Sequence, residues 1–171
     1  DREISAIHSL EAQRVDGIIL CSSRLSGAQL KKLATRYQPL VLVNRRIDHP
    51  ETGSVLVDDA KGATDAVRYL LQLGHRHIGL LAGPAASHSG RARVRGYLEA
   101  MCAAVDAIPS TWREHCAPQV EGGRTATQEL LGRAPELTAL LAYNDLVAVG
   151  VMRACMEMDR RVPEGCAMVG C

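Results

Sequence analysis

Apolar positions along the chain fall into two alternating patterns. In "EISAIHSLEAQ", Ile4, Ile7 and Leu10 recur at three-residue spacing, which marks one stripe of a helix. The next segment, "VDGIIL", is a short apolar run introduced by an Asp-Gly turn. "GAQLKKLATRY" again shows helical spacing at Leu30, Leu33 and Ala34, and "PLVLVN" (39–44) is a second apolar run. These short runs do not alternate polar with apolar. They read as parallel strands covered on both faces.

The same two patterns continue. "GATDAVRYLLQLG" places Ala63, Val67, Leu70 and Leu71 on one stripe and stops at Gly74. "HIGLLAGP" reads as a strand closed by Gly83 and Pro84, and "GRARVRGYLEAMCAAV" as a helix. "TWREHCA" is a weak strand, "GGRTATQELLG" a helix ended by Gly132, and "LTALLAYND" a strand. "DLVAVGVMRACMEM" reads as a helix and "CAMVGC" as a last strand. The predicted order is α-β-α-β followed by α-β-α-β-α-β-α-β. Alternation with short connections predicts an α/β fold with doubly wound parallel sheets. The stretch "IDHPETGSVLVDDAKG" (47–62) interrupts the alternation and carries the adjacent acids Asp58 and Asp59. It predicts two α/β subdomains, 1–57 and 61–171, joined by a hinge at 58–60.

Composition narrows the function. Of 171 residues, 47% are hydrophobic, enough for a sizeable core. No apolar run reaches the length of a membrane span. The net charge is only +1, which argues against a whole-surface footprint for nucleic acid. With no Phe, one Trp and four Tyr, stacking platforms for single strands are also not expected. The six cysteines form no C-x-x-C pair, and several lie in apolar runs, so they are expected to be buried free thiols. His75 and His77 stand two apart without a third ligand and are assigned to a helix-to-strand turn, not to a metal. Neither a metal nor a cofactor is expected.

In open α/β sheets, ligands gather at the carboxyl ends of the strands. The residues just past the predicted strands are Cys21, Ser22 and Ser23; Asn44, Arg45 and Arg46; Gly83, Pro84 and the loop 87–93; and Tyr143, Asn144 and Asp145. This rim of donors, acceptors and a few cations suits a small polar ligand. No G-x-S-x-G elbow and no P-loop appears, and no nucleophile is paired with a base, so an enzyme is not indicated.

Eight stretches in order carry a resemblance: "RVDGIIL", "PLVLVNR", "SVLVDDAKGA", "LLQLGHRHIGLLAGP", "RVRGYLEAM", "EGGRTATQELL", "LTALLAYNDLVAVGVMRA" and "RRVPEGCAMVG". Together they resemble the effector-binding core of LacI/GalR-type transcriptional repressors, whose fold is that of periplasmic sugar-binding proteins. The resemblance implies a cytoplasmic homodimer whose operator DNA is bound by an N-terminal helix-turn-helix outside this chain. It also implies that a sugar or sugar derivative enters the cleft between the subdomains and changes operator binding allosterically. Core elements are expected beyond both ends of the chain, and the chain alone is expected not to bind operator. A periplasmic sugar-binding protein of a transporter is the alternative, since its core fold is alike.

Residue by residue, the resemblance makes Arg93 the effector-gripping arginine, with Asn144, Asn44, Ser89 and Ser87 as further contacts. Asp58 and Asp59 are hinge residues in it. Helical geometry places Arg91 and Arg95 on one face and Arg93 roughly opposite, so the three arginines do not share one task. Ser89 is alternatively a helix N-cap, and so is Asn144. Pro118 stands where many relatives place an aromatic that stacks on the ligand. An acyclic or acidic sugar derivative, gripped by Arg93, is therefore the expected effector.

Overall fold

The computed structural model describes residues 2–171. The chain divides into two compact units, one ending at Val57 and one beginning at Asp58.

The first unit contains helix α1 (Arg2–Ala12), strand β1 (Ile18–Cys21), helix α2 (Gly27–Arg36), strand β2 (Leu40–Val43) and strand β3 (Thr52–Val55). The sheet is parallel in the order β1-β2-β3. Helix α2 begins with a reciprocal cap. The Ser26 hydroxyl accepts from the Gln29 N–H, and the Gln29 side chain accepts from the Ser26 N–H. Ile7, Leu30 and Ala34 of the helices pack with Ile18, Leu40 and Leu42. Those strand positions alternate, so the helices cover one face of the sheet. On the opposite face Ile19 is 69% exposed and Val55 58%. Burial on both faces, expected from the apolar runs, therefore does not hold for β1. Strand β3 was not legible either. Its sequence, TGSV, is short and mostly small or polar, as suits a sheet-edge position.

The second unit contains α3 (Asp59–Gln72), β4 (Ile78–Leu81), α4 (His88–Cys102), a 3₁₀ turn at Ser110–Trp112, β5 (Arg113–Glu114), α5 (Val120–Arg133), β6 (Ala139–Ala142), α6 (Asp145–Glu157) and β7 (Ala167–Gly170). All pairings are parallel, in the order β5-β4-β6-β7. Every residue of β4 and β6 is buried, so both faces of this sheet are covered. The helices pack in pairs, α3 against α4 and α5 against α6. Tyr97 of α4 is buried, and its hydroxyl donates to the Ile78 carbonyl at 2.7 Å. Helix α3 ends where Gly74 takes φ +95°. Helix α5, however, runs through Gly132 and ends after Arg133.

Cys116, Cys155 and Cys166 are buried free thiols, as expected, but Cys21 and Cys102 are exposed. Cys21 points to the uncovered side of β1, and Cys102 is the last residue of α4. No helix among the described residues is long and apolar enough to cross a membrane.

Candidate functional site

The carboxyl ends of β4 and β6 lie side by side, because Leu81 pairs in register with Ala142. Two helices start from this rim. Ser87 caps α4, with its hydroxyl 3.0 Å from the Gly90 N–H and 3.0 Å from the Tyr143 hydroxyl. Asn144 caps α6. Its Oδ1 accepts from the Val147 N–H at 2.8 Å, and its Nδ2 reaches the Pro118 carbonyl at 3.5 Å. Both ends of the Asn144 amide therefore already have protein partners.

Arg93 turns toward this rim. Its Nη2 lies 2.8 Å from Asp59 Oδ1, and the two side chains are only 18% and 9% exposed. The guanidinium also stands over the Tyr143 ring, 5.0 Å from its centroid. Arg91 and Arg95 are exposed, and Arg91 donates to the Ala85 carbonyl. The three arginines thus divide as helical geometry requires. Cys171, just past β7, is close enough to feel the same charges. Burial pushes its thiol pKa up, Asp59 and Asp145 push it further, and Arg93 opposes them.

Gly83 holds the floor of the rim. It takes φ +65°, and the His115 Nδ1–H donates to its carbonyl at 2.7 Å. A Cβ at this position would lie 2.4 Å from the Tyr143 ring. Tyr143 is thereby wedged among Gly83, Ser87 and Arg93.

Asn44 belongs to the first unit, past the end of β2. It takes φ +59°, and its N–H donates to the Val55 carbonyl at 2.8 Å. Its Nδ2 donates to the Ser22 hydroxyl at 3.3 Å, while its buried Oδ1 lacks a partner. Arg45 is committed to the Ser23 and Leu25 carbonyls. Arg46 is exposed.

The structure thus brings Ser87, Arg93 and Asn144 together at one rim and places Asn44 at the strand ends of the other unit. Ser89 is not the cap of α4, because the helix starts at His88 and Ser87 takes that position. Asp58 caps α3 through the Lys61 N–H at 2.9 Å, and Asp59 follows in the first turn. Tyr143 stands at the rim where the sequence places it, but Asp59, read as a hinge residue, was missed as the partner of Arg93. Finding it needed knowledge of what α3 places beside α4, and no local spacing carries that. His75 bonds Thr138, and His77 meets the Trp112 ring edge-on at 5.3 Å, both in the turn before β4. Among the described residues no group of three or more His, Cys, Asp or Glu could hold a metal ion.

Residues 1–166 match the family described as periplasmic binding proteins and sugar-binding domain of LacI family. The chain belongs to this family. Among its LacI-family relatives, the HTH-type transcriptional regulator GalS of Salmonella typhimurium is 32% identical over 99% of this chain and 50% of its own length. The HTH-type transcriptional repressor PurR of Escherichia coli is 28% identical over the same shares. The chain thus spans about half the length of these regulators. A transcriptional regulator, CelR, in complex with cellobiose superposes with a TM-score of 0.84, at 34% identity over 95% of this chain and 50% of that one. A sugar-binding LacI-family regulator from Escherichia coli, complexed with phosphate, gives 0.86 at 29% identity over 98% and 61%. The two parallel α/β sheets are those of a LacI-family core.

Chemically, the rim of the second unit offers a guanidinium with free N–H donors, a carboxylate, two hydroxyls and an aromatic face. It has the donor and acceptor inventory for a polar ligand.

Proposed function

We propose that this chain is the effector-sensing core of a LacI-family transcriptional repressor. A small carbohydrate-like ligand is held by Arg93, Ser87, Ser89 and Asn144 of the second unit and by Asn44 of the first. Its binding changes operator affinity through an N-terminal helix-turn-helix in the full-length protein, with 58–60 as the pivot. The observation that carries this proposal is Arg93, anchored by Asp59 and Tyr143 at the strand-end rim where α/β sheets bind ligands. The family description also covers periplasmic binding proteins, but the relatives named above are transcriptional regulators, which favours a cytoplasmic regulator. CelR, solved with cellobiose, supports a carbohydrate ligand. The regulator acts as a homodimer in this proposal, and the exposed stripe Leu146, Val149, Met152 and Met156 on α6 suits a second copy.

The test uses the full-length protein. Calorimetry against neutral sugars, sugar acids and purines identifies the effector. Arg93→Ala should then abolish the effector response and leave operator binding intact. Effector affinity unchanged by Arg93→Ala would overturn the assignment.

A further inference from the structure

The Arg93 guanidinium is not an uncompensated cation. Asp59 Oδ1 sits 2.8 Å away, and both side chains are largely withdrawn from water, where screening by solvent is weak. The helix starts are also mostly answered by acids. Asp58 and Asp59 open α3 and Asp145 opens α6, whereas the first turn of α4 carries no acid. A ligand arriving beside Arg93 therefore meets a cation already paired with a carboxylate. This pairing weighs against an acidic ligand gripped by Arg93.

We infer that Asp59 is a specificity-determining residue, which cancels the charge of Arg93 so that the rim takes an uncharged polyhydroxylated ligand and rejects its anionic counterparts. This inference rests on the proposal that Arg93 belongs to the effector site. The pair presents guanidinium N–H donors beside a carboxylate with acceptor capacity left. Vicinal hydroxyls, each both donor and acceptor, match that combination. A phosphate or carboxylate matches only the guanidinium half and is repelled by the other.

The experiment compares full-length wild type with Asp59→Asn, using inorganic phosphate as the probe at ionic strength matched with chloride. Asp58→Asn is the control, because Asp58 caps α3 and Asn is an equally good cap. Thermal shift and calorimetry should show phosphate binding at least about tenfold tighter in Asp59→Asn than in wild type, with Asp58→Asn like wild type. The gain should disappear in Asp59→Asn/Arg93→Gln, which locates it at this pair and not on a DNA-binding surface. Asp59→Ser carries the same expectation should Asp59→Asn fold poorly. Equal phosphate affinity in wild type and Asp59→Asn would overturn the inference. So would an anionic effector bound by wild type through Arg93, although that result would leave the proposed function standing. The converse, an Asp59-dependent phosphate gain with no operator response to any sugar or purine, would uphold charge selection and remove the regulatory proposal.

Discussion

Gly83 and Tyr143 approach so closely that one methyl group on residue 83 has nowhere to go. Its Cβ would stand 2.4 Å from the ring, at a backbone φ of +65° that side-chain-bearing residues rarely adopt. Gly83→Ala should destabilise the second unit by roughly 2–4 kcal/mol, combining backbone strain and overpacking. Denaturant titration measures this loss. Displacement of Tyr143 should also loosen Ser87 and Arg93, so effector affinity should fall in parallel. A stable Gly83→Ala protein with normal effector affinity would contradict the wedge.

Asn144 is a helix cap in this structure, and capping can be separated from ligand contact. Asn144→Ala should cost about 1 kcal/mol by leaving the Val147 N–H unsatisfied. Asn144→Asp should keep the cap to the Val147 N–H and lose only the long 3.5 Å contact from Nδ2 to the Pro118 carbonyl, so it should recover most of that stability. A loss of effector affinity in Asn144→Asp out of proportion to its small loss of stability would establish a ligand role beside the cap.

Tyr97 tests the polar contact inside the second core. Burial pushes its pKa well above the usual tyrosine value, so it stays a neutral donor to the Ile78 carbonyl. Tyr97→Phe keeps the shape and orphans that carbonyl, at about 1–3 kcal/mol. Urea denaturation should show a lowered midpoint with an unchanged slope.

Glu114 predicts a pH dependence. Partial burial raises its pKa, but the Arg133 guanidinium and the His115 N–H outweigh burial and bring it below the ordinary 4.5. A carboxylate depressed on folding stabilises the protein above its unfolded pKa. That contribution is lost as pH falls through the folded value. Glu114→Gln should therefore lower stability near neutral pH by about 0.5–1 kcal/mol, since the pair is partly exposed. The gap between wild type and variant should narrow below about pH 4. A gap that widens on acidification would reverse the assignment.

Much of the fold was written in local pattern. The runs around Ile78–Leu81 and Ala139–Ala142 are apolar throughout because both faces of those strands are buried, and sequence shows that directly. Thr52–Val55 was invisible because an edge strand needs little apolar surface. At the rim, the separation of Arg93 from Arg91 and Arg95 follows from helical geometry alone. The Asp59 partner does not. It arises because α3 and α4 pack together, bringing residues 34 apart in sequence into an ion pair.

The two hydrophobic clusters differ in size and share no residue. That of the first unit gathers around Leu30, Leu40 and Leu42, while that of the second extends from Ala63 to Ala167. The first unit also leaves Ile19, Val55 and Val57 largely in water. The smaller cluster has less apolar burial to hold it closed, so the units should open at different free energies. In hydrogen exchange, amides of β1 and β2 should lose protection while those of β4 and β6 are still closed. A ligand bound at β2 alone would slow exchange in the first unit and leave that of β4 and β6 unchanged.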